Sequence, residues 1–240
     1  MQKVLSLLGI GPAATATAAG GPRHLPYTSD AANFMYNLLF CDDLASFKPA
    51  TGKLEGPFAA LFTEPVAVGS LEALANDGAQ EGRLRYLAFT RLRAAGNPTP
   101  AKQLLGVIIE VPLPGGLDVL AAYSEGGVRY INQTGKLAVI EGVTVIQPLV
   151  ERVFASSEPI VAKIGPWEKS RLSPPKAGNV RLTFLVSDGL YFGEGPMTVL
   201  QRDAMTGPVI AGATALLQAV VKLGSSRPTS AAKDATPNQQ

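Results

Sequence analysis

Two acidic residues, Asp188 and Glu194, flank Tyr191 in the glycine-rich segment SDGLYFGEGP at 187–196. Two carboxyl groups that face one cleft can serve as the general acid and the general base of an enzyme. The segment lacks the glycine order of a dinucleotide fingerprint and the Gly-Lys-Ser/Thr ending of a phosphate loop. Because Asp-Gly is also a common hairpin turn, the alternative is a purely structural role for Asp188.

A second group of polar residues surrounds one predicted hairpin turn, in the segment RYINQTGK at 129–136. Arg129, Tyr130 and Asn132 supply guanidinium, hydroxyl and amide groups, which surface turns use to bind ligands or partners. Asn, Thr and Gly also form turns on their own account, which is the structural alternative. The segment is therefore a candidate binding surface.

The single tryptophan, Trp167, lies in the proline-rich segment PWEKSRLSPP at 166–175, together with Arg171. An aromatic ring beside an arginine is a common anchor for a peptide or a partner domain. A long loop also uses one large aromatic side chain to attach itself to the body of the protein. Both interpretations fit the sequence.

Cys41 and His24 are the only cysteine and the only histidine, which narrows the chemistry further. A structural zinc site needs about four ligands of these two types, and a Ser or Cys nucleophile activated by histidine would have to use His24. The adjacent Asp42 and Asp43 would keep the Cys41 thiol protonated. The sequence therefore predicts no metal site, no cofactor and no catalytic residue.

The composition is that of a globular protein with one sizeable core. The chain has 240 residues, of which 46% are hydrophobic and 17% charged, and its formal net charge is +2. Basic residues are scattered along the chain, whereas nucleic-acid binding needs a concentrated basic face. No uninterrupted apolar stretch reaches the roughly 18 residues of a membrane span. We expect no nucleic-acid partner and no transmembrane segment.

The two ends of the chain differ in pattern from the middle. Residues 1–28 are interpreted as a flexible lead-in or short helix, 29–223 as a single α+β domain, and 224–240 as a disordered tail. The apolar run near the start has some features of a signal peptide, but glycine and proline interrupt it early. The sequence therefore favours a cytoplasmic protein, with export as the alternative if residues 1–20 are a signal peptide.

Helical patterns lie on both sides of the central segment. Phe34, Leu38, Cys41 and Leu44 recur at helical spacing after Ser29, a capping residue type. Further helices are predicted over 70–77, 83–95, 144–156 and 207–222. Residues 57–62 fit either a strand or a helical turn, 83–95 also fit an alternating strand, and 159–179 are expected to be irregular.

Four apolar, β-branched segments separated by short turns form the clearest pattern in the chain. They cover residues 104–111, 117–123, 128–132 and 137–141. Because such short connections cannot return the chain for parallel pairing, the segments predict an antiparallel meander. A further hairpin over 180–193 extends it. The flanking helices pack against the sheet, which gives an α+β fold.

The chemistry that is missing guides the functional prediction. We hypothesise a non-catalytic protein-binding or assembly module, which would have a protein partner or self-associate. Its candidate binding residues are Arg129, Tyr130, Asn132, Trp167, Arg171, Asp188, Tyr191 and Glu194. The alternative is a small-ligand-binding protein or an enzyme with a carboxylate-based site around Asp188 and Glu194.

Overall fold

The computed structural model describes residues 23–50 and 52–225 of the chain. Its centre is a six-stranded antiparallel sheet with the strand order β4-β3-β2-β1-β5-β6. The strands are β1 (Leu104–Leu113), β2 (Gly116–Tyr123), β3 (Val128–Ile131), β4 (Leu137–Ile140), β5 (Asn179–Val186) and β6 (Gly189–Pro196). The predicted meander is confirmed as β1–β4, and the predicted hairpin adds β5 and β6 beside β1.

Seven α-helices surround this sheet in the described part of the chain. They are α1 (Asp30–Leu38), α2 (Gly56–Phe62), α3 (Val68–Asn76), α4 (Gly82–Ala94), α5 (Gln147–Lys163), α6 (Met197–Leu200) and α7 (Thr206–Ser225). Two 3-10 turns, Leu44–Phe47 and Thr144–Ile146, complete the regular structure. The predicted α+β fold is confirmed.

Both faces of the sheet are covered, which explains why β1 is apolar without interruption from Leu104 to Ile109. The core on one face joins Ile108 to α1, α3 and α4, whereas the core on the other face joins Ile109 to α5 and α7. Strands buried on both faces lose the alternation of apolar and polar residues. We call these two sides of the sheet the α1 face and the α7 face.

Several predicted helix limits are wrong. The first helix ends at Leu38 rather than continuing through Leu44, because Cys41 adopts a left-handed φ of 55°. α3 starts at Val68, two residues before the predicted start at residue 70. The fifth helix continues to Lys163 with Pro159 inside it, so the predicted irregular segment is shorter. Residues 57–62 are helical, and the helix predicted over 83–95 is confirmed as α4.

The last helix, α7, is longer than predicted and continues through Gly224 and Ser225. The predictions for residues 1–22 and 226–240 lie outside the described residues. From Thr206 to Gly224, α7 is long and apolar enough to cross a membrane, and 33% of this stretch is buried in the molecule. Core helices of globular proteins meet the same criterion, so the absence of a transmembrane segment stays a prediction.

Candidate functional site

Asp188 and Tyr191 form a local pair at the turn between β5 and β6. The Tyr191 hydroxyl donates to Asp188 Oδ2 at 3.0 Å, and Asp188 Oδ1 is buried without a hydrogen-bond partner among the described residues. Burial, together with the hydrogen bond to Asp188, raises the pKa of Tyr191 to about 12. Tyr191 belongs to the core of the α7 face.

Glu194 lies at the other end of β6 and has different partners. It accepts hydrogen bonds from Arg181 Nη2 at 2.6 Å and from Asn179 Nδ2 at 2.9 Å. Burial alone would raise the pKa of Glu194, but these hydrogen bonds and the positive charge of Arg181 hold it below its ordinary value. The structure therefore does not pair Glu194 with Asp188: each carboxylate belongs to a separate group.

Three charged residues form a row across the α1 face. Glu110 of β1 pairs in register with Arg181 of β5, which in turn pairs with Glu194 of β6. The Glu110 side chain is fully buried, and its Oε1 accepts a hydrogen bond of 2.6 Å from the Tyr36 hydroxyl. Glu110 Oε2 lies 3.7 Å from Arg181 Nη1 and has no hydrogen bond among the described residues. Burial raises the pKa of Glu110, against the opposing effect of Tyr36 and the two nearby arginines.

Arg171 is buried beside this row. Its Nε donates to Asp42 Oδ2 at 2.7 Å and its Nη2 to Asn37 Oδ1 at 2.7 Å. The guanidinium lies 4.1 Å from the ring centre of Phe40 and 5.4 Å from that of Tyr36. A charge this well desolvated and paired holds its segment firmly against the sheet.

Trp167 lies on the same connection, residues 164–178, which we call the strap. Its ring packs edge-on against Phe192 of β6, with 4.9 Å between the ring centres. Its indole nitrogen donates to the Ser170 carbonyl at 3.0 Å, and its backbone nitrogen donates to the Leu190 carbonyl at 2.7 Å. Trp167 therefore attaches the strap to the outer edge of β6.

Arg129 and Asn132 have internal partners. Arg129 is 1% exposed and forms ion pairs with Glu81 and Glu141. Asn132 Oδ1 accepts hydrogen bonds from the backbone nitrogens of Thr134 and Lys136, so its side chain closes its own turn.

Tyr130 differs from the other predicted residues because it lines a cavity. Between α7 and the sheet lies a half-open groove of about 260 Å³, and nine of the twelve residues that line it are apolar. We call it the α7 groove. Its walls include Ile109, Leu120 and Tyr130 from the sheet and Ile210, Ala213 and Leu217 from α7.

A pair of polar side chains lies in the wall of the α7 groove. The Tyr130 hydroxyl donates to Asp118 Oδ2 at 2.9 Å, and Asp118 Oδ1 accepts from the Gln133 backbone nitrogen at 2.6 Å. Burial and the Asp118 carboxylate raise the pKa of Tyr130 well above its ordinary value, so the hydroxyl stays protonated. An apolar cavity with a few convergent polar groups is the usual form of a small-molecule site.

The eight predicted site residues therefore fall into separate groups, and two of them, Arg129 and Asn132, have only the internal partners described above. Arg171 and Glu194 share the buried charged network of the α1 face, and Trp167 lies next to it. Asp188 and Tyr191 pair at a turn, while Tyr130 lines the α7 groove. Asp118 and Glu110 could not be predicted as site residues, because each is one acidic residue within an apolar strand.

Within residues 23–50 and 52–225, no group of three or more His, Cys, Asp or Glu side chains is arranged to hold a metal ion. Cys41 is a free, buried thiol whose pKa is raised well above its ordinary value by burial. No protein-family model, curated protein or solved structure matches this chain.

Proposed function

We propose that this protein is a non-catalytic binding protein that holds a small, largely apolar ligand in the α7 groove. The groove itself is the observation that carries the proposal. Apolar cavities of about 150 Å³ already bind benzene-sized molecules, so 260 Å³ suits a ligand of six to eight carbons. The groove is half open, which gives such a ligand a direct path from solvent.

Non-catalytic binding fits the arrangement of the titratable groups better than acid–base catalysis does. Asp188 and Glu194 lie at opposite ends of β6 with separate partners, and the wall of the α7 groove holds one carboxylate, that of Asp118. An enzyme that uses two carboxyl groups needs both of them within reach of one substrate. The groove instead offers apolar contact and one polar anchoring point.

Binding of hexan-1-ol tests the proposal. Burying six carbons at about 0.8 kcal/mol each is consistent with a dissociation constant in the millimolar range. We expect concentration-dependent amide shifts in NMR spectra around Ile109, Leu120 and Ala213. Two variants that fill the groove, Ala213→Leu from its wall and Thr214→Phe from its rim, should abolish the shifts.

Ala211→Leu is the matched control, because Ala211 is an exposed residue of α7 and does not line the groove. This variant should bind hexan-1-ol like the wild type. Shifts that map elsewhere on the molecule, or that persist unchanged in both filling variants when these are folded, would refute the proposal.

Self-association through β4 is the second candidate function. It is favoured by a difference between the two outer strands of the sheet, because part of β6 is covered and the outer edge of β4 is not covered by any described residue. The strap covers part of β6 through the Trp167–Leu190 backbone hydrogen bond. The outer edge of β4 has no backbone hydrogen bond to any described residue beyond β3. An uncovered edge strand is a template for pairing with another chain, and a second copy would pair by two-fold symmetry.

Val139→Pro tests this second candidate. The hydrogen bond from Asn132 N to Lys136 O marks a hydrogen-bonded pair, so by antiparallel alternation the backbone groups of Val139 point away from β3. Proline there removes an outward donor and leaves the pairing with β3 intact. We expect light scattering to show a dimer for the wild type and a monomer for Val139→Pro. A wild type that is monomeric at high concentration would exclude assembly through β4.

A further inference from the structure

We infer that the α7 groove selects a ligand with a cationic head group, such as a primary ammonium on an apolar body, and that Asp118 recognises that charge. This inference rests on the proposed function and adds the chemical class of the ligand. Its basis is the single charged side chain in the wall of the groove.

Asp118 is a carboxylate without a charged partner among the described residues. Its two hydrogen bonds come from neutral donors, the Tyr130 hydroxyl and the Gln133 backbone. By contrast, an arginine lies within 4.0 Å of each of four glutamates: Glu81, Glu110, Glu141 and Glu194. Each carboxylate oxygen of Asp118 accepts one bond and retains a second lone pair that a ligand can use.

The surroundings of Asp118 strengthen its attraction for a cation. It is half-buried beside Leu120 and Leu217, and low-dielectric walls reduce the screening of its charge. The Tyr130 hydroxyl donates to Asp118 and fixes the orientation of the carboxylate. An anionic ligand would meet this negative charge without a compensating cation in the lining of the groove, and a neutral alcohol would gain one ordinary hydrogen bond.

Three probes with six carbon atoms each separate these cases: hexylammonium chloride, hexan-1-ol and sodium hexanoate, titrated at pH 7 with binding followed by NMR. Hydrogen bonds to charged groups are stronger than neutral ones, so hexylammonium should bind at least about fivefold more tightly than hexan-1-ol. Hexanoate should bind at least about fivefold more weakly than the alcohol. The preference for hexylammonium should decrease as sodium chloride is added, because salt screens partly exposed charges.

Asp118→Asn removes the charge and retains an acceptor oxygen, so the ratio of hexylammonium to hexan-1-ol affinity should fall to about one. Asp30→Asn is the matched control, because it removes an exposed carboxylate on α1, across the sheet from the groove, and should keep the wild-type ratio.

Hexan-1-ol binding without a preference for hexylammonium, or a preference that persists in Asp118→Asn, would overturn the inference and leave the proposed function standing. If none of the three probes binds in the groove, both are wrong. Should Asp118→Asn fail to fold, the wild-type ratio and its salt dependence decide the question.

Discussion

At the residue scale, one acidic group stands out. Glu110 lies in the middle of the α1 face and is the most deeply buried acidic residue in the described part of the chain. It contacts Tyr36 of α1 and Arg181 of β5, and the Arg171 guanidinium lies nearby. Burying an ionised carboxylate without complete hydrogen bonding costs free energy. The same cost favours the protonated form of Glu110 and so raises its pKa. Glu110 therefore opposes folding when it is ionised.

This cost predicts how stability varies with pH. Since the pKa of Glu110 is raised in the folded state, the unfolded chain loses this proton first as the pH rises. The contribution of Glu110 to stability therefore falls as the pH rises above the ordinary glutamate pKa of about 4.3. Glu110→Gln keeps an acceptor for Tyr36 and removes the titration, so its unfolding free energy should increase relative to wild type across this range. Urea unfolding at several pH values from 4 to 8 measures the difference.

Glu194→Gln is the control of opposite sign. The pKa of Glu194 is lowered, so its ionised form stabilises the folded state above the ordinary carboxyl pKa and this stabilisation is lost on acidification. The stability of Glu194→Gln relative to wild type should therefore decrease as the pH rises. Equal pH profiles for the two variants would show that the burial of Glu110 does not control its titration.

The sequence indicated which residue types could act, but it did not reveal their partners. Arg171 and Glu194 are predicted from their side-chain chemistry. Tyr36 and Glu110 complete the network, but they are 74 positions apart and no local sequence pattern marks them. Glu110 follows five apolar residues of β1, where one acidic residue resembles the end of a strand. Only the strand register places it beside Arg181.

At the element scale, the strap is unusual because a connection without regular structure is held against the sheet by two of its own large side chains, Arg171 and Trp167. Arg171 is 7% exposed and is held by Asp42 and Asn37, whereas the nearby Lys169 is exposed and lies 5.6 Å from the Trp167 ring centre. Removing one partner of a buried ion pair leaves the other without compensation. The strap should therefore depend on Arg171 far more than on Lys169.

Arg171→Ala tests this dependence. Since Asp42 is partly exposed, we expect a loss of about 2–3 kcal/mol in unfolding free energy rather than the full value for a buried pair. Hydrogen exchange of the Trp167 amide, which is bonded to the Leu190 carbonyl, should accelerate as well. Lys169→Ala should change stability by less than about 0.5 kcal/mol. Similar losses in the two variants would mean that the buried contacts of Arg171 do not hold the strap.

Elements whose apolar residues recur at regular spacing could be predicted from the sequence. Elements that contain an unusual backbone conformation, or a proline inside a helix, could not. The four strands of the meander and α4 follow from local pattern and turn residues. The early end of α1 depends on the left-handed backbone at Cys41, a conformation that non-glycine residues seldom adopt. The segment from Pro159 is predicted to be irregular, but packing of Ile160 and Val161 in the core sustains α5 beyond this proline.

At the scale of the whole molecule, one sheet separates two hydrophobic cores, and every central strand contributes to both. Leu39 of the α1 face and Leu216 of α7 are each fully buried, on opposite sides of the sheet. The α7 groove could not be predicted because its walls join strands and a helix that are distant in sequence. The shared sheet implies that neither core can persist without the other.

Leu216→Ala tests this coupling, because the single tryptophan reports from the opposite side. Trp167 packs on Phe192, which lies in register with Thr183 on the α1 face. A cavity at Leu216 should cost about 2–5 kcal/mol. If the cores unfold as one unit, Trp167 fluorescence and far-UV circular dichroism should shift to the same lower urea midpoint, and Leu39→Ala should behave likewise. A fluorescence midpoint that remains at the wild-type value in Leu216→Ala would instead show that the two layers unfold independently, with the sheet held by the α1 face alone.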